Sequence, residues 1–134
     1  MTDLLQAASN ILEKKYNPPI HTVAAALRAR NGEVITAVNI DHFLGFVCAE
    51  TAALNIAINQ GIYDFDEIVA VRRNSENEDI KIVSMCGKCR QIFHDYAPNI
   101  KVQTSTGAKT IEDILPDAFM RQQQKIQERI RNVQ

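Results

Sequence analysis

Apolar residues at Leu4, Leu5, Ala8, Ile11 and Leu12 share one face at helical spacing and predict a helix over residues 3–16. Thr2 is the expected N-cap, with Asp3 in the first turn. Asn17-Pro18-Pro19 ends that helix, because proline cannot continue it. From His21 to Arg28 the run Thr22-Val23-Ala24-Ala25-Ala26-Leu27 reads as a strand, although its alanines favour a helix on propensity alone. Asn31-Gly32 supplies a hairpin turn, and Glu33 to Ile40, rich in Val, Ile and Thr, is the second strand. Residues 48–60 form a helix apolar nearly all round, closed by Gly61 and expected to be buried. Ile68-Val69-Ala70-Val71 is a continuous apolar run, the pattern of a strand covered on both faces. After a charged loop from Arg73 to Asp79, residues 80–84 are a further strand. A helix follows from Cys86 to Tyr96, stopped by Pro98, and residues 100–104 are a last strand. Residues 110–115 begin another helical turn, broken by Pro116, and 117–132 read as a polar C-terminal helix. This order predicts an α/β fold, a three-layer α/β/α sandwich around a mixed five-stranded sheet, in a single domain over 1–134.

Composition narrows the function. Net charge is −1, with Lys and Arg interspersed among Asp and Glu. No basic stripe exists to hold a phosphate backbone, so no nucleic-acid partner is expected. No apolar run approaches the roughly 20 residues that span a bilayer, so no membrane association is expected. Met1-Thr2-Asp3-Leu4-Leu5 lacks a basic region ahead of an apolar one, so a cytoplasmic protein is expected, with its cysteines reduced.

The three cysteines are where the chemistry concentrates. Cys86 and Cys89 stand three residues apart at a predicted helix start, directly after a strand. Cys48 opens the other helix, in Cys48-Ala49-Glu50. In open sheets, sites form at the carboxyl ends of strands, where these two segments can meet. Thiolates are soft ligands that suit tetrahedral zinc, and three protein ligands leave a fourth position for water, as in catalytic sites. Helix N-termini help to keep thiolates ionised, and Arg90 is a further cation that could offset their charge. Glu50, two residues after Cys48, can reach the open position without ligating the metal and carry protons there. Each part alone has an ordinary structural reading; the conjunction is specific.

Cys48-Ala49-Glu50 and Met85-Cys86-Gly87-Lys88-Cys89-Arg90-Gln91 resemble the two motifs of the cytidine deaminase family, over roughly residues 3–115. Within it, Asn39-Ile40-Asp41-His42-Phe43, the 64–72 segment and Asp95-Tyr96-Ala97-Pro98 resemble the blasticidin S deaminase branch. The resemblance implies Zn2+ on Cys48, Cys86 and Cys89, with Glu50 as the catalytic proton carrier. It implies hydrolytic deamination of the cytosine ring of a small free nucleoside, blasticidin S or cytidine/deoxycytidine, to the uracil form with release of ammonia. It implies a homo-tetramer or dimer, and places Asn39, Asp41, His42 and Phe43 at the substrate. The departures are Met85 in place of a proline, Thr51 in place of an arginine, Asp41 in place of a ribose-binding glutamate and His21 near a stacking phenylalanine. Met85 and Thr51 motivate the alternative of a catalytically weak or non-enzymatic zinc-binding module with the same fold.

Overall fold

The computed structural model describes residues 3–133. Helix α1 runs Leu4–Lys15, with Asp3 as its N-cap, its carboxylate accepting from the Gln6 N–H at 3.3 Å. Thr2, the cap expected from sequence, lies outside the described residues. Strands β1 (Val23–Ala29) and β2 (Val34–Val38) form an antiparallel hairpin turned at Gly32, whose φ of 95° strains any side chain. Helix α2 (Ala49–Asn59), β3 (Phe65–Arg72), the two-residue β4 (Lys81–Ile82) and α3 (Gly87–Tyr96) follow. Then come β5 (Lys101–Thr104), β6 (Gly107–Thr110), α4 (Ile111–Ile114) and α5 (Gln123–Val133).

The sheet has six strands in the order β2-β1-β3-β5-β6, with β4 paired to β3 off that path. It is mixed, because β3 and β5 are parallel and the other pairs antiparallel. The expected set of five strands is altered in two places, one strand being shortened and a sixth added. The run at 80–84 pairs with β3 only through Lys81 and Ile82, since it must then turn into α3. Gly107-Ala108-Lys109-Thr110, absent from the expected strands, makes the edge strand β6 on β5.

Alternation in β1 explains why alanines occur in a strand. Ala24 and Ala26 face α1 with Leu4, Ala8, Leu12, Val69 and Val71. Ala25 and Leu27 face α2 and α3 with Ala53, Leu54, Ala57 and Phe93. A strand covered on both sides by helices has room for small side chains, and burial outweighs their helical preference. The result is the expected sandwich, with α1 on one face of the sheet and α2 and α3 on the other. Helix α2 is not buried all round: Ile56 and Asn55 are exposed and, with Ile40, Val47, Ile58, Ile92 and Tyr96, line an open groove of about 480 Å³.

The C-terminal helix begins at Gln123, not at 117. The Gln91 amide accounts for the difference, donating to the Phe119 carbonyl (2.8 Å) and accepting from its N–H (3.2 Å). That two-point pairing engages backbone groups that a helix through this segment would use. Helix α5 in turn satisfies the open end of α3. Gln123 donates to the His94 carbonyl at 2.8 Å, and Gln127 donates to those of Asp95 (2.8 Å) and Tyr96 (3.2 Å). These belong to the last four carbonyls of a helix, which have no partner within it. Gln127→Ala should lower unfolding stability by about 1 kcal/mol, the usual net worth of such a bond. A urea midpoint shift at unchanged slope is the measure.

Candidate metal centre and active site

Helices α2 and α3 start side by side, and each has a cysteine as its N-cap. Cys48 precedes α2, and Cys86 precedes α3 with its sulfur accepting from the Cys89 N–H at 3.5 Å. The Cys48 and Cys86 sulfurs are 3.6 Å apart, and all three cysteine sulfurs lie within 4.8 Å of one another. They are not disulfide-bonded, since that bond is about 2.05 Å long. A tetrahedral zinc with Zn–S bonds of about 2.3 Å holds its sulfurs roughly 3.8 Å apart, so this donor set fits zinc in number, softness and spacing. Burial pushes the Cys48 and Cys89 thiols up, so without a metal they are protonated and metal binding must displace those protons. The histidines lie elsewhere: His21 Nδ1 donates to the Asn39 carbonyl at 2.7 Å, and His94 Nδ1 pairs with Asp95 at 2.8 Å.

Among the described residues Arg90 makes its side-chain hydrogen bonds to backbone carbonyls. Its guanidinium donates to the carbonyls of Met85 (2.7 Å) and Ile114 (2.9 Å). Met85, where the family carries proline, is 2% exposed. Packing of its side chain and the Arg90 bond to its carbonyl restrain this turn without a ring in the backbone.

A cavity of about 340 Å³ opens beside the cysteines, lined by Val23, Asn39, Phe46, Val47, Glu50, Arg72, Val83 and Ser84 together with Cys48, Ala49 and Cys86. Glu50, in the first turn of α2, is 5% exposed, and burial raises its carboxyl above the ordinary range. Asn39 stands just beyond β2. Its Oδ1 accepts from the N–H groups of Thr22 (2.9 Å) and Val23 (3.1 Å), tying it to the start of β1. Among the described residues its Nδ2 donates to no protein group.

Asp41, His42 and Phe43 are not on that lining. They belong to a loop clipped at its base by paired backbone bonds of 2.9 Å between Ile40 and Val47. Phe43 is 90% exposed and stacks on His42 with ring centroids 4.5 Å apart.

The blasticidin-S deaminase of Bacillus cereus is 38% identical to this chain over 128 residues, covering 89% of the chain and 91% of that protein. The chain belongs to the cytidine deaminase family, in its blasticidin-S deaminase branch. Solved structures agree. The cytidine deaminase from Burkholderia pseudomallei is 30% identical with a TM-score of 0.71, covering 89% of this chain and 100% of that one. The cytidine deaminase from Mycobacterium leprae is 25% identical with a TM-score of 0.72, covering 85% of this chain and 95% of that one. No family model matches the chain. The family relation supports a hydrolytic deaminase. For this deaminase, sequence reasoning overlooked Phe46 and Arg72 on the cavity wall. A basic residue ending an apolar strand that leads toward the cysteines was the available signal for Arg72.

The buried Glu50 sets a pH dependence. A carboxyl whose folded pKa exceeds its unfolded value costs no stability while protonated in both states. Stability then falls as pH rises from the unfolded value near 4.5 through the folded value, and stays lowered above it. Glu50→Gln removes that cost. In the metal-free protein it should melt higher than the parent at pH 7 to 8, with the two converging as pH approaches 4.5. Melting curves of both proteins across pH, in chelator, are the check.

Proposed function

We propose that this chain is a zinc-dependent hydrolase that removes the exocyclic amine of a cytosine ring in a free nucleoside, blasticidin S or cytidine, leaving the uracil form and ammonia. The observation that carries the reading is a carboxyl buried in the first turn of α2, facing the same cavity as Cys48 and Cys86. Cys48, Cys86 and Cys89 would hold the metal. Zinc, when bound, acts as a Lewis acid and lowers the pKa of water to about 7. Glu50 would carry two protons in turn, the first from the attacking water to the ring nitrogen and the second from the hydroxyl newly added to the ring carbon to the departing amine. Burial holds its carboxyl above the ordinary range, the direction that favours a group serving as both proton acceptor and donor. Val23, Phe46, Val47 and Val83 offer apolar walls to the flat ring, and the cavity has the size of a small-molecule site. Asn39 Nδ2 is the available donor for a sugar hydroxyl. Asp41, His42 and Phe43 act at the far end of the substrate, from the rim loop.

The inactive zinc module has Thr51 and Met85 in its favour, but a buried carboxyl counts against it. A structural metal site has no use for Glu50, whose burial costs stability. We also propose that the protein works in the cytoplasm, as a tetramer or dimer of this chain. Ile40, Phe43, Leu44, Phe46, Val47 and Ile56 are exposed apolar residues on the rim loop and the outer face of α2, a surface a second copy would cover.

Purified protein should carry one zinc per chain. Glu50→Ala should retain that zinc while losing turnover by about 10²–10⁴-fold, the range for general acid–base groups. Elemental analysis and ammonia release are the readouts. Near-normal turnover in Glu50→Ala would exclude the mechanism.

Substrate choice follows from the rim loop and the 38% identity to a blasticidin-S deaminase. Asp41, one methylene shorter than glutamate, reaches less far toward a ribose hydroxyl and can instead meet a basic arm on a modified sugar. The expected result is a kcat/KM for blasticidin S at least equal to that for cytidine under the same conditions. A cytidine value more than about tenfold higher, roughly 1.4 kcal/mol in transition-state binding, would reverse the assignment.

A further inference from the structure

Three thiolates around a divalent zinc leave the centre with a net negative charge, and each thiolate donates electron density that weakens the metal as an acid. What surrounds each sulfur therefore matters to the chemistry. Cys86 is exposed and water can reach it; Cys48 is half-buried. Cys89 is 0% exposed, so its sulfur can be stabilised only by the protein.

The nearby cations are placed elsewhere: Arg72 lines the cavity with Cys48 and Cys86 but not with Cys89. Arg90 is committed to two backbone carbonyls, and the Lys88 ammonium lies over the Phe46 ring, 5.2 Å from its centroid. The side chain that meets the Cys89 sulfur is Thr51, whose hydroxyl oxygen lies 3.2 Å away. Thr51 sits in the first turn of α2, three residues after Cys48, so the helix that positions one sulfur also aims a hydroxyl across at the sulfur carried by α3. Both partners are fixed on helices, and the contact is only partly accessible to water. A hydrogen bond to a charged acceptor is worth more in such surroundings than at the surface.

We propose that Thr51 is a positioning residue of the metal centre: its hydroxyl donates to the Cys89 thiolate and draws electron density from it, keeping the bound metal acidic enough for catalysis. This rests on the zinc reading above. On this account Thr51 is a working part of the site, not a lesion in it. The charge on Cys89 is moderated by a neutral donor, and no cation has to be buried beside the centre.

The test uses Thr51→Val, which keeps the shape and removes the hydroxyl, and Thr51→Ser, which keeps the hydroxyl. Each full-length protein is loaded with cobalt(II) in place of zinc, and the thiolate-to-cobalt charge-transfer bands are recorded. A hydrogen bond stabilises the sulfur lone pair, so its loss should move those bands to longer wavelength in Thr51→Val. Thr51→Ser should match the parent. In the zinc proteins kcat should fall about tenfold for Thr51→Val and recover in Thr51→Ser. If Thr51→Val fails to fold, Thr51→Ala takes its place with the same expectation. Bands and kcat unchanged without the hydroxyl would overturn the assignment while leaving the zinc centre intact. A parent protein with no thiolate charge-transfer band at all would overturn the zinc reading and this inference together.

Discussion

The structure depends on two helices beginning at the same place. Helices α2 and α3 are separated in sequence by β3, β4 and their loops, yet Cys48 and Cys86 cap them with sulfurs 3.6 Å apart. That meeting requires both helices to lie on one face of the sheet and to approach it closely. Ala25 and Ala37 on the sheet and Ala49, Ala53 and Ala57 on α2 permit the approach, since a larger residue in this layer would lift α2 away from its partner strands. Phe93, fully buried on α3, anchors that helix against the same layer and contributes about 3 kcal/mol by its burial. The small residues of the core thus fix the geometry of the sulfurs.

Holding that geometry has a cost. The first turns of α2 and α3 bury a carboxyl and crowd three thiols, and burial opposes the charged form of Glu50, Cys48 and Cys89. The expense is offset away from the cysteines. The far end of α3 is closed by glutamines of α5, and the turn into it is held by Arg90 bridging Met85 and Ile114. Desolvation at the site is tolerated because the elements carrying it are tied down at their other ends.

The clustering of the three cysteines beside Glu50 was legible because it is written in local spacing: Cys-x-x-Cys and Cys-x-Glu each span less than one helical turn. The sandwich was legible because its strands and helices carry the right periods. What was not legible depends on contacts distant in sequence. Strand β6 has a glycine, an alanine and a lysine and only one strand-favouring residue, and it exists because β5 offers an open edge. The late start of α5 depends on Gln91, 28 residues from the Phe119 backbone it engages. Ile40 and Val47 clip the rim loop so that Asp41, His42 and Phe43 project from the single chain, which no local pattern shows.

Position along a motif is therefore a poor guide to what a departure from it means. Met85 and Thr51 each look like a lost feature when read against the family motif. In the fold each stands beside a substitute. Where a proline would have stiffened the backbone before Cys86, a buried Met85 and its Arg90-bound carbonyl restrain the turn. Where an arginine would have brought a full charge beside the sulfurs, a hydroxyl reaches the one sulfur that water does not. A full positive charge in that position would itself need burial and further partners, since an ion taken out of water costs several kcal/mol unless well paired. A neutral donor avoids that demand, while Arg90 holds the helix start through the Met85 and Ile114 carbonyls.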